Sequence, residues 1–222
     1  EEIPFTEEER KEIIDFHKKV RSSVNPPASN MMDIRWDSKM ELLARNWASK
    51  CKFSHPWNDD SISEAEKSQY FGTSQSLARS RGRDAGAVRR LLSPMENEKD
   101  YYQYGMSKCR DDIQCAHYVN MIKAETYKVA CVKQYCETVQ NLPNTEGILL
   151  MVCQYSPGTY KYESGYSENI ETPYKTGKPC SSCERGCTED GKFCLAPDHA
   201  HRLVTSSLTL SVALLLIGFY YR

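Results

Sequence analysis

Ile13, Ile14, His17 and Val20 recur at helical spacing, and Thr6 with Glu9 three residues on has the spacing of a capping box. A first helix is therefore expected from about Glu7 to Ser22. The paired prolines of "VNPPASN" end it, because proline fixes its own φ and pushes the preceding residue into extended backbone. A second stripe, Met40, Leu43, Ala44, Trp47 and Cys51, follows a second capping-box pair, Ser38 and Glu41. From Asp84 to Leu92 the pattern is weakly helical, and Pro94 should close it. Further on the period changes. In "YKVACVKQYC" Tyr127, Val129, Cys131, Lys133 and Tyr135 alternate with Lys128, Ala130, Val132 and Gln134, which predicts a strand. "GILLMVCQY", Gly147 to Tyr155, is apolar nearly throughout and reads as a strand buried on both faces. Helices first, then strands covered on both sides, predict an α+β sandwich.

The 222 residues are 40% apolar and 27% charged, enough for one main domain with a real core plus smaller extras. Net charge is −1, with Lys and Arg interleaved among Asp and Glu, so nucleic acid is not an expected partner. Ten cysteines, Cys51, Cys109, Cys115, Cys131, Cys136, Cys153, Cys180, Cys183, Cys187 and Cys194, are spread along the chain. An even count so distributed favours disulfides in an oxidising compartment, hence the secretory pathway, although spacing alone selects no pairing.

Composition divides the chain into a body, residues 1–179, a cysteine-dense hinge, 180–194, and a tail, 195–222, whose apolar segment runs from Leu208 to Phe219. That segment is shorter than the roughly 20 residues of a spanning helix. Three readings of the tail compete. A glycosylphosphatidylinositol signal would use Asp198 and Ala200 at the cleavage site, His201 to Ser207 as spacer and the apolar run as terminator. A single-pass helix would borrow Leu203 and Val204, with Arg222 as its cytoplasmic charge. A buried terminal helix is the third. The first is preferred and places the protein, GPI-anchored to the membrane, on the extracellular face of the plasma membrane.

Four ordered motifs, "FHKKVRSSVNPPASNMMDIRWD", "LARNWASKCKFSH", "CAHYVNMIKAETYKVACVKQYC" and "MVCQYSPGTYKYE…PYKTGKPCSSC", resemble the CAP superfamily of cysteine-rich secretory, antigen 5 and pathogenesis-related proteins. The likeness is nearest to its glioma pathogenesis-related or venom-allergen-like branch. It implies an α-β-α sandwich around a central antiparallel sheet, followed by a cysteine-rich hinge that Cys180, Cys183, Cys187 and Cys194 match in number. It also implies a cleft of two histidines and two acidic residues in which some members bind a divalent metal. His55, in "CKFSH", and His117, in "CAHY", match the histidines. The Gly-Glu-Asn motif expected before "YFGTS" is replaced by Glu66, Lys67, Ser68 and Gln69, which leaves Glu66 as candidate. The second acidic position falls to Glu96 or Glu98, beyond Pro94. Around His117 the family's Gly-His-Tyr-Thr-Gln-x-x-Trp has become Ala116 to Lys123, so the cleft reads as degraded.

No Gly-x-Ser-x-Gly elbow occurs, and cysteines that can pair completely leave no nucleophilic thiol. The one enzyme reading with a physical skeleton, and the alternative kept open, is a metal-dependent hydrolase with zinc on His55 and His117 and a carboxylate as third ligand. The preferred expectation is a non-catalytic CAP-domain binding protein with no resident cofactor. The family implies as ligand a sterol or fatty acid in an interhelical slot, for which Tyr101, Tyr102, Tyr104 and Met106 are candidates. The other candidate partner is a cell-surface protein. Arg79, Arg81, Arg83, Arg89 and Arg90 form a basic cluster that is either a solvated face or a contact for anionic headgroups.

Overall fold

The computed structural model describes residues 1–83, 87–142, 145–161, 165–166 and 170–197. Asp198 and the apolar tail, with the anchor they were read to form, lie outside the described residues.

Chain order is β1 (Glu2–Ile3), α1 (Glu7–Ser22), β2 (Arg35–Trp36), α2 (Ser38–Ala48), α3 (Glu64–Ser68), β3 (Ser74–Arg81), α4 (Val88–Asn97), α5 (Ala116–Ile122), β4 (Lys128–Thr138), β5 (Glu146–Ser156), and a small hairpin of β6 (Tyr160–Lys161) and β7 (Gly165–Tyr166). The sheet runs β1-β4-β5-β3, with β2 added in parallel to β4. Its long strands β4, β5 and β3 pair antiparallel, with Cys131 opposite Cys153 and Ser76 opposite Cys153 on its other side. One core fills the space between α1, α4 and α5 and the face carrying Val129, Cys131, Leu149, Met151 and Tyr155. The other packs Met40, Leu43, Ala44 and Trp47 of α2 against Ala130, Val132, Ile148, Leu150 and Val152. The α-β-α sandwich thus follows from β4 and β5 being apolar on both faces.

Local chemistry explains the helix ends. Thr6 Oγ1 accepts from the Glu9 N–H at 3.2 Å and Glu9 Oε2 from the Thr6 N–H at 3.0 Å, the expected capping box. The expected Ser38/Glu41 box does not form. Asp37 caps α2 instead, its Oδ1 accepting from Lys39 and Met40 N–H at 3.0 Å each. Glu41 is drawn away by Trp36 Nε1 at 2.8 Å, Arg10 at 3.0 Å and Arg45 at 2.8 Å. Nor does Pro94 end its helix, since α4 continues to Asn97. The missing N–H would have served the carbonyl of Arg90, a residue open to water, while Val88, Leu91, Leu92 and Met95 stay buried along the same face through the proline. The edge strand β3 is an element the hydropathy pattern did not predict.

Two features hold the layers together. Arg21 is 1% exposed, and its guanidinium donates to the carbonyls of Met121, Lys123, Met32, Ala124 and Thr126 at 2.7–3.3 Å, tying α1 to the end of α5 and to the turn into β4. Burial pushes its pKa down to about 9, which leaves it charged at neutral pH. All ten cysteines are paired, as Cys51–Cys136, Cys109–Cys115, Cys131–Cys153, Cys180–Cys187 and Cys183–Cys194. The last two staple the segment 180–194, which docks on the body where the Cys194 N–H donates to Met31 O at 2.7 Å and the Asp33 N–H to Cys194 O at 2.9 Å.

Candidate functional site

His55 and His117 meet at the start of β3. His55 leaves the α2 layer and stacks on Trp57, ring centroids 4.7 Å apart. His117 stands on the first turn of α5, one turn before Asn120, whose Nδ2 donates to Gln75 O and Ser76 Oγ, each at 3.3 Å. The two imidazoles are close enough to repel electrostatically when charged. Burial pushes the His55 pKa below its ordinary value and the proximity of His117 adds to this, against the opposing pull of the Gln75 side chain.

Each ring is already engaged through Nδ1. His55 Nδ1 lies 2.9 Å from Gln75 Oε1; Gln75 Nε2 donates to Gln154 Oε1 at 3.0 Å, and Gln154 Nε2 to Thr73 Oγ1 at 2.6 Å. Thr73 Oγ1 then donates to Tyr70 O at 2.5 Å. Every amide in this buried row has one hydrogen-bond direction that works, so His55 carries a proton on Nδ1 and donates it to Gln75 Oε1. His117 Nδ1 lies 2.6 Å from Glu98 Oε1. Glu98 Oε2 accepts from the His117 and Tyr118 N–H groups at 2.9 and 3.1 Å, capping α5.

The sequence candidates separate accordingly. His55, His117 and Glu98 come together. Glu96 sits one helical turn from Lys99, 3.6 Å away, and is not a partner of either histidine. Glu66 pairs with Lys50 at 3.0 Å, because α3 turns it toward the end of α2. The residue that meets His55 is Gln75, which the sequence reading passed over. Its signal is "SQSL" directly after "YFGT", where Gln stands as the neutral counterpart of a glutamate.

Zinc wants three or four ligands. Here only two imidazoles are present, the His55 partner is an amide, and Glu98 is engaged by a histidine and a helix cap. Among the described residues no three His, Cys, Asp or Glu side chains are placed to hold a metal. The residues present do not fit a zinc site.

Of the slot candidates Tyr101, Tyr102, Tyr104 and Met106, Tyr102 and Tyr104 pack on other tyrosines, and Tyr104 also lines a cavity. Tyr102 lies against Tyr118, centroids 5.6 Å apart, and Tyr104 against Tyr174 at 4.9 Å, donating to Tyr174 O at 2.8 Å. Met106 points outward, 47% exposed. The groove between α1 and α4, about 400 Å3, is lined by Glu8, Lys11, Glu12, Asp15, Lys19 and Arg89 around Phe16. A second cavity of about 520 Å3, between Tyr104, Tyr174, Lys123, Thr126 and Thr159, is of mixed polarity.

The model of the cysteine-rich secretory protein family, CAP, matches residues 14–155. Peptidase inhibitor 16 of Mus musculus is 29% identical over 191 residues, 86% of this chain and 34% of that protein, so the chain spans about a third of that relative's length. GLIPR1-like protein 1 of Bos taurus is 31% identical over 184 residues, covering 82% of this chain and 69% of the relative. Among solved structures, the hookworm platelet inhibitor superposes with a TM-score of 0.62 at 18% identity, over 88% of this chain and 94% of its own, a likeness of fold.

Proposed function

The chain belongs to the cysteine-rich secretory protein (CAP) family, and from that premise we propose that it is a non-catalytic, extracellular protein-recognition domain. What carries the reading is Gln75. An amide on His55, with Glu98 capping α5, leaves among the described residues no unengaged carboxylate on either histidine to complete a metal site or act as a general base. Full pairing of the cysteines removes the thiol nucleophile and suits an oxidising exterior. The tail, read as a lipid-anchor signal, would hold the domain at the outer membrane face.

Protein recognition is favoured over lipid carriage by the side chains themselves. Tyr102 packs on Tyr118 and Tyr104 on Tyr174, the cavity beside Tyr104 is also lined by Lys123, Glu125 and Lys175, and the α1–α4 groove presents ionic groups that a hydrocarbon chain would have to desolvate. The test is saturable binding of the labelled chain to cells, before and after trypsin treatment, beside titration with cholesterol and a fluorescent fatty acid. The expected result is trypsin-sensitive binding that survives His55→Ala and His117→Ala, with no saturable lipid uptake. One-to-one lipid binding, with cell binding indifferent to trypsin, would overturn the reading.

A further inference from the structure

The strand β3 closes one side of the sheet, and among the described residues no further strand pairs with its outer edge, which is covered at Ser74 to Leu77 and open to water at Arg79 and Arg81. Cys131 and Cys153 face each other directly across β4 and β5 with Cα atoms 4.0 Å apart, the close spacing of a non-hydrogen-bonded pair. The backbone of Cys153 therefore bonds the other way, to Ser76, and so do Ala78, Ser80 and Gly82 in turn toward β5. The Gly82 N–H accordingly donates to Gly147 O at 2.7 Å. The odd residues Gln75, Leu77, Arg79 and Arg81 then aim their N–H and C=O groups outward. Gln75 O is met by Asn120. The outward groups of Leu77, Arg79 and Arg81 have no partner among the described residues. Leu77 is only 6% exposed, and residues so covered ordinarily have their backbone paired. Beside them Ser80 Oγ is buried and unpartnered.

Arg79 and Arg81 project to the same face of this edge, both exposed and neither paired with a carboxylate among the described residues. Arg79 is held over the Phe53 ring at 5.2 Å. On the opposite face Ala78 and Ser80 offer only small side chains. Resting on the reading above that the domain recognises proteins, we infer that the outer edge of β3 docks an extended, acidic segment of a partner protein as a further antiparallel or parallel strand. Backbone pairing supplies adhesion, and carboxylates two residues apart on the incoming strand meet Arg79 and Arg81. A second copy of the chain is the wrong occupant, since edge-to-edge pairing of two β3 strands would set arginines against arginines.

The probe is a blocked heptapeptide alternating glutamate with valine, titrated into the full chain, with amide exchange followed at Leu77, Arg79 and Arg81. Exchange there slows on binding, and N-methylation of alternate peptide amides weakens binding at least tenfold, as does Arg79→Glu with Arg81→Glu. An N-methylated peptide that binds equally well, or protection that appears elsewhere, overturns the inference. Absence of peptide binding, with phosphatidylserine vesicles held through the same two arginines, assigns the edge to headgroups and also overturns it. Trypsin-sensitive cell binding unchanged in the double variant sinks the edge while leaving protein recognition standing.

Discussion

Replacing Arg21 with methionine tests how α5, and with it His117 and Asn120, is held in place. Methionine matches the stem but removes a cation that donates to five carbonyl oxygens, three of them from Met121 to Ala124 at the end of α5. A buried acceptor stripped of its donor costs roughly 1–3 kcal/mol. Water entering the vacated space recovers part of that, and the desolvation of the guanidinium is no longer incurred, so the net loss should be about 3–5 kcal/mol, below the sum over five stripped acceptors. With a urea m-value of about 2–3 kcal/mol/M for a domain of this size, the midpoint should fall by roughly 1–2 M at constant m. Arg21→Lys keeps the charge but offers three donors to five acceptors, so it should lose about half as much. A midpoint within about 0.3 M of the parent in the methionine variant would refute the assignment of Arg21 as the tie between these layers.

Acid should weaken the fold through His17. It is fully buried as neutral imidazole between Ile13 O at 2.7 Å and the Tyr155 hydroxyl at 3.1 Å, and burial pushes its pKa from 6.5 down to about 4. The unfolded chain takes up the proton first, so stability is full above pH 6.5 and declines by about 3 kcal/mol as pH falls toward 4; His17→Gln should flatten that part of a urea-midpoint profile. Among the disulfides, opening Cys51–Cys136, which closes 85 residues, should cost about 4–5 kcal/mol, against about 2 kcal/mol for Cys109–Cys115, which closes 6. Equal losses in denaturant titrations of the two double-alanine variants would count against that ordering. Gly158→Ala should cost about 2–3 kcal/mol by calorimetry, because its Cβ would fall 2.0 Å from the Thr73 carbonyl carbon, where the Gly158 N–H donates to Gly72 O at 2.7 Å.

The helices and long strands were legible because their periods differ and their burial is strong: α1, α2, β4 and β5 lie where Ile13, Trp47, Cys131 and Leu150 placed them. The strand β3 was not. "SQSLARSR" is polar for an edge strand because its first residues, Ser74, Gln75 and Ser76, are buried by hydrogen bonding and its last, Arg79 and Arg81, face solvent. Gln75 was illegible for the same reason: it is an amide where the family pattern implies a carboxylate, and the nearest carboxylate in sequence, Glu66, pairs with Lys50 instead. Pro94 misled for the opposite reason: a local rule yielded to four apolar residues packing on one face. Asp37 displaced Ser38 as cap because Glu41, needed for the box, had stronger cationic partners in Arg10 of α1 and Arg45 one turn along α2. Arg21 carries no pattern at all; five carbonyls drawn from two distant segments, Met32 and Met121 to Thr126, come together only once the chain has folded.

The most direct test of a non-catalytic cleft is calorimetric titration of the chain with zinc at pH 7.5, alongside His55→Ala and His117→Ala. With Gln75 on one imidazole and Glu98 spent on the other, the parent should show no saturable one-to-one site, and the variants should match it. A one-to-one site in the parent that both variants abolish would contradict the account and restore a metal to this cleft.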